Sequence, residues 1–314
     1  MLKKITNRHN KKEKIFSLCI CLLAIILLFI FIPSLLLNNN SKVKKSKKIK
    51  VSTSKIALIK KDNSSKTKPS TPNSEVKSNN TGEDTNNTNQ SIPNYGVKTE
   101  DAFIEDGKKT AYLTFDDGPS TTVTPKILDT LKNYNVHATF FLLGDMIQKN
   151  PGSDAIVKRT FDEGNSIGNH TYYHNLSLIY PNNILSINEF ISEVDKTSNI
   201  LKGILGQAFS TRVVRLPGGR MSRVHYKDPN LTELDNVLKQ KNMVSIDWNA
   251  YDHDSEKVKE FAPQLITHVK NEASNHNKVV VLMHDTYSKE ETAKALPAII
   301  EYFKSAGYEF KTLY

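Results

Sequence analysis

Outside its first apolar run the chain has no cysteine, because both thiols, Cys19 and Cys21, lie inside that run. The remainder can form no disulfide, which neither requires nor forbids an oxidising compartment. The chain has one tryptophan, Trp248, no glycine-rich phosphate loop and no repeat period, so nucleotide-cradling loops and solenoids are set aside. It also lacks a basic globular part. The net charge is +10, yet residues 1–60 hold 14 Lys and Arg against the single acid Glu13, so the remaining 254 residues carry 10 − 13 = −3. A slightly acidic domain offers no electrostatic footprint for nucleic acid.

What is present first is a 23-residue segment, Ile15 to Leu37, without a charged residue. At about 1.5 Å per residue it is long enough to cross a hydrocarbon core of about 30 Å. No Ala-x-Ala cleavage site follows it, so it is read as an uncleaved signal-anchor rather than a removed signal peptide. Basic residues flank it on both sides, Lys3 to Lys14 before and Lys42 to Lys50 after, and charge alone leaves the orientation open. Keeping the short stub 1–14 inside is the easier arrangement, and it puts the rest of the chain outside. Residues 38–105 are rich in Asn, Ser, Thr and Lys, cannot bury enough apolar surface to offset chain entropy, and are read as a disordered tether. About 60 such residues reach roughly 45 Å.

From about residue 106 to 314 apolar runs alternate with amphipathic segments. Strands are expected at 111–115, 138–143, 166–168, 213–216, 244–248, 279–283 and 308–311. Helices are expected at 124–134, 153–163, 187–205, 232–241, 257–272 and 291–305. This alternation predicts an α/β fold with a parallel sheet, in the form of a distorted, incomplete (β/α) barrel.

Five chemically suggestive stretches fall where expected strands end. Thr114-Phe115-Asp116-Asp117-Gly118-Pro119 puts two carboxylates at a strand-to-turn junction, although Asp-Asp-Gly-Pro is also ordinary turn composition. His170 and His174 are four apart in Asn169-His170-Thr171-Tyr172-Tyr173-His174; two histidines and a carboxylate with one position open for water is the composition of a catalytic zinc site. Alone, such a pair is more often solvated or structural. Arg215 leaves a strand ahead of Pro217-Gly218-Gly219, suited to a bidentate pair with a carboxylate or to a plain turn. Asp247-Trp248 and Leu282-Met283-His284 complete the set; a lone Trp is more often core, and a histidine there is a ligand, a proton donor or a cap. In βα folds the C-terminal strand edge carries the active site, and five signals at that edge outweigh the bland reading of each.

Together these residues resemble the polysaccharide deacetylases of carbohydrate esterase family 4. The motifs Thr114–Pro119, His170-Thr171-x-x-His174, Arg215-x-Pro217-x-Gly219, Asp247-Trp248 and Leu282-x-His284 occur in the family's order. The resemblance implies metal-dependent removal of acetyl groups from sugar polymers on a distorted (β/α) barrel. It implies that Asp117, His170 and His174 bind a divalent metal, zinc or else cobalt. It implies that Asp116 is the general base, His284 the general acid, Arg215 the holder of Asp116 and Asp247 the group that tunes His284. Trp248 and Leu282 would wall the acetyl pocket. Gly218 stands where many members have Tyr, and its backbone N–H would still serve the oxyanion. The expected substrate is N-acetylglucosamine in cell-wall peptidoglycan. The rivals are an exported polysaccharide, an O-acetyl xylan, or a non-catalytic sugar-binding module that would need neither Asp116 nor His284. The expected setting is a monomer in the cell membrane, single-pass, with the catalytic domain extracellular.

Overall fold

The computed structural model describes residues 95–314. The expected stub, membrane span and most of the tether lie outside the described residues. Among the described residues no helix is long and apolar enough to cross a membrane.

Two strands organise the domain. β1 (Gly96–Val97) opens it, but β2 (Thr110–Gly118) and β8 (Lys278–His284) are its longest strands, and both are buried almost throughout. Runs such as Ala-Tyr-Leu-Thr-Phe and Val-Val-Val-Leu-Met suit parallel strands covered on both faces. They pair in parallel from Thr110↔Lys278 to Asp116↔His284. Around them stand β3 (Thr139–Leu142), β4 (Ser166–Asn169), β5 (Val213–Val214), β6 (Val244–Ser245), β7 (Ala250–Tyr251) and β9 (Glu309–Phe310), and β10 (Thr312–Leu313) ends the chain. The order is β6-β5-β4-β3-β2-β8-β7, every pairing is parallel, and β9 sits beside the first residues of β2. The result is a curled half-barrel.

Side chains alternate along each strand. On β2 and β8, Ala111, Leu113, Phe115, Val279, Val281 and Met283 join the outer core under the helices, whereas Tyr112 and Val280 join an inner cluster with Phe141, Val213, Ile246 and Leu313. The outer layer comprises α1 (Thr124–Tyr134), α2 (Gly144–Lys149), α3 (Ser153–Asp162), α4 (Leu176–Ile179), α5 (Ile187–Leu205), α6 (Arg220–His225), α7 (Leu231–Gln240), α8 (Ala262–Ala273) and α9 (Glu290–Ser305). Each long helix buries one stripe; α9 buries Ala293, Leu296, Ile299, Ile300 and Phe303, with Glu290 and Glu291 in its first turn and Lys304 in its last, as the helix dipole favours.

The floor of the half-barrel corrects one expectation. Residues 95–105 were expected in the tether, but β1 pairs with β10 in parallel, and Ala102 behind it is fully buried. β10 in turn crosses the starts of β3 and β4: Leu313 N donates to Thr139 Oγ1 at 2.9 Å, and Ser166 Oγ donates to Leu313 O at 2.5 Å. A two-residue strand that pairs over 200 residues away leaves no local pattern to read. Two smaller corrections concern helix 257–272, which starts at Ala262, and β7, which lies past the strand expected at 244–248.

Tight packing inside the half-barrel is testable at Gly168. A Cβ there would stand 2.5 Å from the Phe141 ring, so Gly168→Ala should cost about 1–3 kcal/mol in a denaturant titration. Gly203→Ala, in the last turn of α5 with nothing within 4 Å, should instead be neutral or stabilising by up to about 1 kcal/mol. Equal effects at the two positions would refute the packing assignment.

Candidate active site

The inward alternation that places Tyr112 and Val280 deep in the half-barrel places Thr114 and then Asp116 above them on β2, and Leu282 and then His284 on β8. The same step of two carries Val213 to Arg215 after β5, and Gly168 to His170 after β4. Asp116 and His284 are thus the last inward positions of β2 and β8, and His170 and Arg215 the next inward positions just past β4 and β5. The rim they reach is the C-terminal edge of the sheet, where parallel α/β folds present their chemistry.

Asp117 has φ 66°, the left-handed region, which turns its carboxylate from the strand toward the same rim. Thr171 (φ 74°) and His174 (φ 53°) share that conformation and fold the loop after β4 back on itself. His170 Nε2 lies 3.5 Å from Asp117 Oδ1, and His174 Nε2 lies 3.8 Å from it. One atom from each of the three residues falls within a 4.8 Å cluster. Atoms bound about 2.1 Å from one ion stand about 3.4 Å apart in a tetrahedron, so the spacing fits a zinc-sized cation.

Two further observations support that fit. His170 Nδ1 lies 2.8 Å from the Arg215 carbonyl and can only donate there, which leaves Nε2 as the lone pair facing the cluster. Burial, then the neighbouring His174 charge, lowers the His170 pKa to about 3, so it stays neutral as a ligand must. Asp117 Oδ1 is buried without a hydrogen-bond partner, a costly state that a cation would relieve.

Asp116 has a different partner. Arg215, fully buried, donates from one terminal nitrogen to Asp116 Oδ1 and to Thr114 Oγ1, each at 2.8 Å, and from Nε to the Ile246 carbonyl at 3.0 Å. Its guanidinium also lies over the Phe141 ring, 4.0 Å from the centroid. Burial raises the Asp116 pKa above the ordinary carboxylate range, although Arg215 and His284 pull the other way.

His284 gives the main correction. Its Nδ1 is 2.6 Å from Asp254 Oδ1, not paired with Asp247. Asp254 also accepts from His284 N, from Thr292 Oγ1 and, through its main-chain oxygen, from Lys289 Nζ. Burial disfavours the imidazolium, but the bond and charge of Asp254, with Asp116 and Asp117 behind it, raise the His284 pKa to about 9. Asp247 instead accepts the Arg220 and Met221 backbone N–H groups at 2.8 and 2.6 Å. It thereby braces the turn that carries Gly218 and Gly219, so its role is positional. The signal for Asp254 lay in Asp252-His253-Asp254, just past β7, which is too short to mark its own end. Asp252 lies fully buried beside it, accepts the Asp254 N–H at 3.1 Å, and is raised well above its ordinary pKa by burial and by the Asp254 charge.

The remaining expected residues line the mouth. Gly218 (φ 74°) is exposed, and Gly219 (φ 77°) passes so close to Trp248 that a Cβ would stand 2.9 Å from the indole. Trp248 is half-buried, with its ring 5.6 Å from the Arg215 guanidinium, and Leu282 is buried beneath His284.

Comparison with known proteins agrees with this geometry. The polysaccharide deacetylase family model matches residues 104–237. A peptidoglycan-N-acetylglucosamine deacetylase of Bacillus cereus is 32% identical over 209 residues, 65% of this chain and 69% of that protein. The chain is 34% identical to a peptidoglycan-N-acetylglucosamine deacetylase of Listeria monocytogenes but spans only 37% of its length. Among solved structures, a Streptococcus mutans CE4 esterase superposes with a TM-score of 0.65 at 36% identity, covering 71% of this chain and 94% of that one.

The pairing of His284 with Asp254 has a direct readout. In an NMR titration the parent His284 should hold its proton to about pH 9, and Asp254→Asn should release it at lower pH, because removing the carboxylate leaves burial to oppose the charge. Asp247→Asn should leave that midpoint in place; the opposite ranking would restore Asp247 as the partner.

Proposed function

The chain belongs to the polysaccharide deacetylase family, and from that premise we propose that it hydrolyses the acetamido groups of N-acetylglucosamine units in cell-wall peptidoglycan. The observation that carries the reading is the difference between two adjacent carboxylates: Asp116 is bonded to Arg215 and has its other oxygen 3.6 Å from His170, whereas Asp117 reaches both His170 and His174. Asp117, His170 and His174 would hold a divalent cation, zinc or cobalt. When bound, such an ion supplies Lewis-acid activation of water and of a carbonyl.

The other steps belong to side chains. Asp116 accepts the proton of the attacking water; Arg215 keeps its carboxylate aimed, and burial makes it a stronger base than an exposed aspartate. His284, held as imidazolium by Asp254, donates a proton to the leaving amine. In this reading the Gly218 N–H would serve the developing oxyanion, and Trp248 and Leu282 would wall the acetyl methyl. A sugar-binding module would need no buried base and acid on either side of a metal site. Similarity to the peptidoglycan-N-acetylglucosamine deacetylases of Bacillus cereus and Listeria monocytogenes supports peptidoglycan, ahead of xylan or an exported polymer, as the substrate proposed for this chain.

The setting is part of the proposal. Residues 1–14 would stay inside, residues 15–37 span the membrane once, and the polar residues that follow tether the catalytic domain outside, near an insoluble polymer.

Acetate release across peptidoglycan, chitooligosaccharide and acetylxylan, with zinc or cobalt supplied, should be greatest on peptidoglycan; no acetate from any of them would sink the deacetylase reading. Asp116→Asn should lower kcat by about a hundredfold or more while retaining the metal, and loss of metal would mean that the two aspartates exchange roles. Protease added to intact cells should digest the C-terminal domain, and complete protection would overturn the topology.

A further inference from the structure

On α5 the buried stripe is Phe190, Glu193, Val194, Thr197 and Leu201. A glutamate in such a stripe, 4% exposed, calls for a reason, because glutamate is almost never fully buried unless paired. Its partner is not a cation. Glu193 Oε2 accepts two backbone N–H groups, from Tyr172 at 3.3 Å and from Tyr173 at 3.0 Å. Those two residues lie inside the turn that separates His170 from His174.

The rest of that turn is tied from the same side. Thr197 Oγ1 donates to the Thr171 carbonyl at 2.8 Å, and Asn169 Nδ2 donates to the Val194 carbonyl at 2.9 Å, while Asn169 Oδ1 accepts from Thr171 N at 2.9 Å. Asp145 N donates to the Tyr172 carbonyl at 3.0 Å. Thr171 and His174 both occupy the left-handed region, a conformation of about 1–3 kcal/mol that persists only where the surroundings over-determine it. Of these ties only Glu193 brings a formal charge, and it alone satisfies two successive amides with one oxygen.

We infer that Glu193 is a positioning residue for the metal centre: it holds the 171–174 turn in the conformation that brings His174 Nε2 to the atoms of His170 and Asp117. The inference rests on the reading of Asp117, His170 and His174 as metal ligands. Glu193 touches neither the ion nor the substrate, and it acts through the backbone between the two histidines. Its loss lets the turn relax out of the left-handed region, so His174 leaves the cluster while Asp117, within β2, and His170, held just past β4 by its bond to the Arg215 carbonyl, remain.

The test is zinc affinity of the full-length chain, measured by competition with a chromophoric chelator. Glu193→Ala should weaken binding about ten- to a hundredfold, the range for groups that support a ligand, with catalytic activity regained at saturating zinc. Glu193→Gln, which keeps an acceptor oxygen in place, should bind far closer to the parent. Where Ala at this position prevents folding, Glu193→Asp withdraws the oxygen by one methylene and should weaken zinc similarly. Parental affinity in a folded Ala or Asp variant would overturn the inference, as would activity that saturating zinc fails to restore. The control separates the two readings: if the parent takes up no zinc that Asp117→Ala loses, the metal centre itself is wrong; if it does and Glu193 proves indifferent, only the positioning role fails.

Discussion

Arg215 is the largest side chain fully buried in the domain, and the site is arranged around meeting its charge. A lone buried cation is expensive, and a buried ion pair recovers that cost only with good geometry and further hydrogen bonds. Here Asp116 supplies the counter-charge, Thr114 and the Ile246 carbonyl take further donors, and Phe141 lies under the guanidinium. These partners come from β2, β3 and the segment after β6, so one interaction fastens three parts of the curled sheet. Its backbone carbonyl also accepts from His170 Nδ1, so the residue that fixes Asp116 orients His170 as well.

That arrangement explains how neighbouring aspartates of identical chemistry take different partners. Asp116 ends an extended strand and points inward to an arginine. Asp117 takes the left-handed conformation and points to two imidazoles. On the far side His284 Nε2 lies 4.0 Å from Asp117 Oδ2, and Asp254 favours its charged form. Arg215 is the nearest charge acting on Asp116 and Asp254 the nearest acting on His284, while Asp116 and His284 also act on one another.

The strongly periodic parts of this arrangement were legible in the sequence. β2 and β8 are apolar runs that end in Asp116 and His284, and α1 and α5 begin and end where their patterns change. What escaped has a common physical cause. Asp254 follows a two-residue strand whose Asp-His-Asp ending reads as polar loop, and the family resemblance carried its role to Asp247. Residues 95–105 gain their order from pairing with the opposite end of the chain, which composition does not display. Glu193 stands among Glu189, Asp195 and Lys196 on an amphipathic helix and reads as one more solvated acid; only the fold shows that it faces inward. Long-range pairings and side chains serving a distant backbone stay hidden where strand endings do not.

The floor of the half-barrel bears on mechanics. The described chain enters through β1, whose partner β10 is fastened across the starts of β3 and β4, at the end of the sheet away from the catalytic rim. Tension applied to the N-terminal side is therefore borne first by that short ladder and by the buried turn at Ala102, not by β2. A tug from behind therefore meets the floor before it reaches the strands that carry Asp116, Asp117 and His284.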